Sequence, residues 1–188
     1  MTDADRDLVI RAQDGDRAAF EQLVRRHADG VYAVALRLAN DRHEAEEITQ
    51  EAFLRAWRGL CDFHGDSQFF TWLYRIAINE ARRRTQRHPS PGVPASLNEH
   101  HIDPPDPGPG PQRRAEHREL RNALQAAIGA LDPDYRAPLI LRDVEGLSTT
   151  QAAEILGLGE AAFKSRLHRA RLAVRAAIAD HLPSDETT

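Results

Sequence analysis

Gly146-Leu-Ser-Thr-Thr-Gln-Ala-Ala-Glu-Ile-Leu-Gly-Leu-Gly-Glu-Ala-Ala-Phe-Lys-Ser-Arg-Leu-His-Arg-Ala-Arg171 decides how the chain is read. Ser148 and Gln151 have capping-box spacing, so a helix is expected to start at Ser148. Gly157, just past Leu156, suits a left-handed C-terminal cap, and Gly159 leads into a second helix. There Phe163, Leu167, Ala170, Val174, Ala177 and Ile178 recur at three- and four-residue steps, which predicts a core face. Lys164, His168, Arg171 and Arg175 form a neighbouring stripe, flanked by Arg166 and Arg169. A short helix, a tight turn and a basic second helix are what a helix-turn-helix needs to lay one helix in the DNA major groove.

A solvated helix in an all-helical bundle is the bland alternative. Against it, five basic residues (Lys164, Arg166, Arg169, Arg171 and Arg175) accompany one acid, Glu160, in a chain of net charge −4. A solvated face usually mixes signs, whereas an excess of one sign favours a phosphate partner. Ser165 is short and polar, fit to hydrogen-bond a phosphate or a base edge.

Working outward, 188 residues leave room for one or two domains, and 29% charged with 41% hydrophobic residues is ordinary for a globular chain. With a slightly acidic total, nucleic-acid binding has to come from local patches. The single cysteine, Cys61, excludes an internal disulfide, fits a reducing cytoplasm and reads as a half-buried filler. No apolar run has the length of a membrane span, and Met-Thr-Asp-Ala-Asp-Arg-Asp is unlike a signal peptide. Lys164 is the only lysine, so the positive charge is almost all arginine.

Eight of the eleven prolines lie at 89–111. Such a run propagates neither helix nor sheet and predicts an extended tether. No strand-like alternation occurs on either side. The expectation is an all-α fold of two small helical domains, 1–87 and 114–188, joined by a Pro-rich flexible linker, 88–113. In the first, Phe20, Leu23, Val24, His27, Val31, Val34 and Leu38 stripe one long helix, which Asn40-Asp41 breaks. The next helix is expected to bury Ala45, Ile48, Ala52, Phe53, Ala56 and Trp57, with Glu44, Glu47, Glu51, Arg55 and Arg58 opposite. A further helix after Gly65-Asp66-Ser67 should bury Phe69, Leu73, Ile76 and Ala77. In the second domain, Leu120, Leu124, Ala127, Ile128 and Leu131 line one helix. Asp132-Pro133 marks a restart, with Pro138 in the first turn or so of the new helix.

Beyond that core, Phe70, Trp72 and Tyr74 are more aromatic surface than a buried stripe needs. Trp72, Arg75, Asn79, Arg82, Arg83 and Gln86 share one face. Aromatic rings beside arginines and an amide are equipment for single-stranded nucleic acid, stacking contributing about 1–3 kcal/mol per base. For Trp72 or Tyr74 taken singly, packing against the preceding helices is the competing reading.

Glu46-Glu-Ile-Thr-Gln-Glu-Ala-Phe-Leu-Arg-Ala-Trp57, followed by Phe63-His-Gly-Asp-Ser-Gln-Phe-Phe-Thr-Trp-Leu-Tyr-Arg-Ile-Ala-Ile-Asn79, resembles region 2 of the extracytoplasmic-function (ECF) sigma factors of the bacterial sigma-70 family. Leu131 to Ser148 with the helix-turn-helix after it resembles their region 4, and the envelope-stress-type group is the nearest match. The resemblance implies docking on core RNA polymerase, at the largest-subunit coiled coil and the flap. Glu46, Glu47, Gln50, Glu51 and Arg55 would meet the coiled coil, although a solvated helix face would look the same in sequence. It implies opening of the promoter −10 element and capture of an extruded base. The candidate pocket is His64, Gly65, Asp66 and Ser67, with Phe69, Phe70, Trp72 and Asn79 nearby and Arg75, Arg82 and Arg83 holding the strand. It implies duplex reading of the −35 element by Glu160, Lys164, Ser165, Arg166, His168, Arg169 and Arg171.

An anti-sigma factor, wedged between domains that are free on their tether, is the implied inhibitor. The implied location is the cytoplasm, with sequestration at the membrane by that inhibitor as a variant. Ala161-Ala162-Phe163 departs from the Gly-Thr-Val-like run usual at the entry to the recognition helix, and so removes a threonine hydroxyl. Arg82-Arg83-Arg84 is more basic than usual.

A polymerase-independent dimeric DNA-binding regulator would explain the C-terminal motif but leave the Phe63–Asn79 segment without a role. Catalysis lacks support: His27, His64, His100, His101 and His168 are scattered, no metal-ligand spacing occurs, and no glycine-rich phosphate loop exists. No cofactor, metal, small-molecule substrate or membrane insertion is expected. A protein-only adaptor would not need the basic last helix.

Overall fold

The computed structural model describes residues 3–39, 41–87 and 111–181. Most of the proline-rich segment, at 88–110, lies outside the described residues. Eight α-helices are present among them and no strand: α1 (Asp3–Gln13), α2 (Arg17–Leu38), α3 (Arg42–Gly59), α4 (Phe69–Arg87), α5 (Pro111–Gly129), α6 (Pro133–Leu139), α7 (Thr149–Leu156) and α8 (Glu160–Ala177). Helix α5 therefore starts three residues before the expected boundary at 114, with Pro111 as its first residue.

The first unit is α1–α4. Asp16 caps α2 by accepting from the Ala19 N–H, and Asp41 caps α3 through Glu44; each satisfies an N–H that the helix leaves without an internal partner. Leu23, Val31, Ile48, Ala52, Ala56, Phe69 and Leu73 meet in the core, each at most 1% exposed. Trp57 is half-buried, its ring tilted on Phe20 with centroids 4.9 Å apart. In α4 the core stripe is rotated from expectation. Ile76 is only half-buried, while Thr71, Ile78 and Glu80 lie inside. The reason is that α4 is contacted on two sides, by α2 and α3 and again by α7.

The second unit is α5–α8. Asp132 caps α6, and Pro133 opens it, where a missing N–H is harmless. Pro138 is the sixth residue of α6, in its second turn rather than its first. Directly after it the backbone widens into a π turn at Ile140–Val144, where the Glu145 N–H bonds the Ile140 carbonyl at 2.9 Å. Phe163, Leu167, Ala170 and Val174 seat α8, but Ala177 is exposed and Leu124 of α5 is 37% exposed. Cys61 is exposed rather than half-buried.

The two units are in contact. Arg37 of α2 donates to Glu145 at 2.6 Å, and Arg75 of α4 donates to the Glu154 carbonyl of α7 at 2.7 Å. Buried Arg136 ties the α5–α6 corner together by donating to the carbonyls of Gly129 and Leu131, and reaches the Leu38 carbonyl at the end of α2.

Candidate nucleic-acid and polymerase interfaces

The helix-turn-helix is built as its sequence predicts. Ser148 and Gln151 form both halves of the capping box, with bonds of 3.1 and 3.0 Å. Gly157 takes φ +64°, the left-handed region where a Cβ would be strained. Phe163 is fully buried and anchors α8. Around that anchor Lys164, Ser165, His168 and Arg169 are exposed, as are Ala161 and Ala162.

Four of the predicted contact residues, Glu160, Lys164, Arg166 and Arg171, are engaged within the protein. Glu160 accepts from the Thr150 hydroxyl at 2.7 Å and from Lys164 at 3.2 Å, and these bonds hold its carboxyl below the usual range. Arg171 makes two hydrogen bonds to Asp143, at 2.8 and 2.6 Å, which raise its guanidinium pKa. Arg166 lies 3.6 Å from Asp134.

In the first unit, a loop joins α3 to α4 through a short 3₁₀ turn at Leu60–Asp62. Gln13 of α1 fixes it by donating to the carbonyls of Leu60 (2.9 Å) and Phe63 (2.8 Å). Phe63 turns inward onto Trp72 and Phe69, with centroids at 4.9 and 6.1 Å. That leaves His64, Gly65 and Asp66 exposed and Ser67 half-buried, and Gly65 adopts φ +80°. An open cleft of about 410 Å³ runs beside the loop, lined by Arg6, Val9, Ile10, Gln13, Phe63, His64 and Gly65. The α1 side of this cleft carries no motif that would have marked it in sequence.

Phe69 is fully buried and supports the loop from beneath. Trp72 is half-buried between Phe63 and Phe69, and Phe70 packs edge-on against Tyr74 at 5.9 Å. Packing therefore absorbs much of the aromatic surface. Asn79 and Arg83 are exposed, whereas Arg75 is held on the Glu154 carbonyl and Arg82 on Asp134 at 3.2 Å.

On α3 the predicted docking residues share a face. Glu46 pairs with Arg42 at 3.3 Å, Glu47 with Arg84, and Glu51 accepts from Arg55 at 2.7 Å, which holds the Glu51 carboxyl low. Gln50 is exposed. Beside it lies Leu54, 43% exposed, which sequence reasoning passed over. Its signal was spacing: it stands three and four residues after Glu51 and Gln50, on the polar stripe rather than the apolar one. Among the described residues no group of acids, histidines or cysteine is placed to hold a metal, and no helix is long and apolar enough to cross a membrane.

The fold thus defines a class, two helical units in one chain of which the second is a helix-turn-helix. Comparison with known proteins narrows the class. Residues 23–88 match the family model for Sigma-70 region 2, and residues 121–174 that for Sigma-70, region 4. The chain is 36% identical over 183 residues to RNA polymerase sigma-H factor of Pseudomonas aeruginosa, with 93% of each covered. It is 35% identical over 180 residues to ECF RNA polymerase sigma-E factor of Escherichia coli, with 90% of this chain and 92% of that one covered. A solved structure of CnrH, in complex with the cytosolic domain of CnrY, superposes with a TM-score of 0.70 at 29% identity, covering 95% of this chain and 99% of that one. The chain belongs to the ECF group of sigma-70-type RNA polymerase sigma factors, and its function is promoter-specific initiation of transcription.

Proposed function

We propose the following division of labour within that function. The outer face of α8 reads the −35 duplex through Lys164, Ser165, Arg166, His168, Arg169 and Arg171, with phosphate contacts setting register and base-edge contacts setting sequence. Loop 64–67, backed by Phe63, Phe69 and Trp72, receives a base extruded from the −10 element. The rigid aromatic backing supports this, because a preformed pocket offsets the unstacking of the base. Asn79, Arg75, Arg82 and Arg83 track the strand.

The α3 face (Glu46, Glu47, Gln50, Leu54, Glu51 and Arg55) docks on the largest-subunit coiled coil, and the second unit meets the flap. The protein works in the cytoplasm without a catalytic centre or a cofactor of its own. Leu54 supplies the apolar centre with a polar rim that protein interfaces favour. The observation that carries this reading is the separation of surfaces: α8 and loop 64–67 present one side chain set each, and α3 presents a third.

A protein inhibitor completes the proposal. CnrH was solved with the cytosolic domain of CnrY, and a fold-level neighbour at 24% identity, sigma factor RpoE of Bartonella quintana (TM-score 0.61), with the anti-sigma factor NepR. Here α7 already lies on α4, so a wedging inhibitor has to displace the Arg75–Glu154 bond, and one that wraps the pair does not.

The test adds purified protein to core RNA polymerase and maps transcript starts on fragmented source DNA. Discrete starts sharing two upstream elements are expected, and Lys164→Ala with Arg166→Ala should abolish them. Duplex binding by the protein alone, with no starts, would overturn the proposal.

A further inference from the structure

Glu80 is the only acid of α4, and it is buried at 4% exposure beneath α3. Three guanidinium groups surround its carboxylate. Arg84 donates from Nε to Oε1 at 3.1 Å, the Arg55 Nη2 lies 3.0 Å from Oε2, and the Arg83 Nη1 lies 3.6 Å from the same oxygen. Two of these arginines also reach outward. Arg55 donates to Glu51 at 2.7 Å, and Arg84 donates to Glu47. Glu47 and Glu51 stand four residues apart, one turn of α3. The result is a continuous row, Glu51–Arg55–Glu80–Arg84–Glu47, whose centre is buried and whose ends are on the surface.

We infer that Glu80 is a positioning residue for polymerase docking: through Arg55 and Arg84 it fixes the carboxylates of Glu51 and Glu47 in the geometry that the coiled coil meets. This rests on the reading of the α3 face as the docking surface. Long charged side chains lose rotamer freedom when a partner immobilises them, and the loss is smaller when they are already held. An exposed pair on one helix holds poorly, since water and salt compete with it. A carboxylate sheltered from water holds its guanidinium partners better, because the field between them is screened less. Glu80 supplies that shelter from α4, the helix that also contributes Arg84 to the row. Without it, both arginines keep their surface partners but lose the anchor that fixes where those partners stand.

The alternative role is a staple between α3 and α4 that affects stability alone, and the two roles differ in additivity. The measurement is the affinity of the labelled full chain for core RNA polymerase, for the wild type, Glu80→Gln, Glu47→Gln with Glu51→Gln, and the triple variant. Glu80→Gln is expected to weaken docking about tenfold while duplex −35 binding stays unchanged. In the background lacking both surface carboxylates it should weaken docking no further, because the groups it positions are gone. An equal loss in both backgrounds, or none in the wild-type background, overturns the inference. If removing Glu47 and Glu51 leaves docking intact, the α3 reading itself falls, and that result is separately visible. Should Glu80→Gln not fold, Arg84→Gln cuts one arm, and the same comparison is made against Glu47→Gln.

Discussion

At the scale of single residues, burial redirects side chains that a motif assigns to the surface. Tyr74 stands in an aromatic–arginine stretch that suits base stacking, yet it is directed inward against Gly30, where any Cβ would overlap its hydroxyl. Burial, and then the charge of Glu145, push its pKa up to about 12. The sign of the consequence follows from linkage. Between the unfolded value near 10 and the folded value, the unfolded chain releases the proton and the native chain keeps it. Stability is therefore unaffected below about pH 10 and falls as pH rises from there toward about 12, by on the order of 2 kcal/mol. Among the three tyrosines, Tyr74 is expected to be silent in an absorbance titration until the chain unfolds. Tyr74→Phe should flatten the alkaline decline measured by denaturant melts, and an unchanged decline would place its origin elsewhere.

At the scale of elements, local chemistry and tertiary packing agree best in the helix-turn-helix. The capping box, the left-handed Gly157 and the Phe163 anchor all fall where spacing places them, because each depends on neighbours within a few residues. Ser148→Ala removes one half of the box and should lower stability by about 1 kcal/mol. A thermal melt reads that loss, and duplex binding at a temperature where the variant is folded should be unaffected. A direct loss of DNA affinity would make Ser148 a contact residue rather than a cap. Helix α4 is the opposite case. Its periodicity gave Phe69, Leu73 and Ala77 but could not reveal a second contacting surface, so Ile76 and Ile78 exchanged places, and Glu80 entered the interior because arginines of two helices neutralise it.

At the scale of the whole molecule, the contact between units bears on function. Asp134 of α6 lies 3.2 Å from Arg82 and 3.6 Å from Arg166, which is one residue from each proposed DNA-contacting set. Arg75 is held by an α7 carbonyl. On the proposed assignment a promoter strand competes with these contacts, and the units are expected to part before both elements are read. Asp134→Ala removes the shared acid from an exposed pairing that contributes about 0–1 kcal/mol. It should increase binding of a non-template-strand oligonucleotide by a few-fold and lengthen the inter-unit distance seen by fluorescence transfer. No change in either would mean that Asp134 does not hold the units together.

Sequence by itself determined the all-helical class, the two-unit order, and the cap, turn and basic face of the helix-turn-helix, because these rest on short-range spacing and residue chemistry. It reached the family through the resemblance of two long motifs. Residue type and periodicity marked the basic face of α8 and the aromatic–arginine face of α4, whereas the base-capture loop and the polymerase-docking face came from the family resemblance. Only the tertiary structure decided which of those side chains are engaged within the protein. Glu160, Arg171, Arg75 and Arg82 each meet a partner from another element or another turn, while Leu54 stands exposed on a polar face. The physical reason is that a guanidinium or carboxylate takes the nearest complementary group in space, and what is nearest is set by how α4, α6 and α7 pack, which no local pattern encodes.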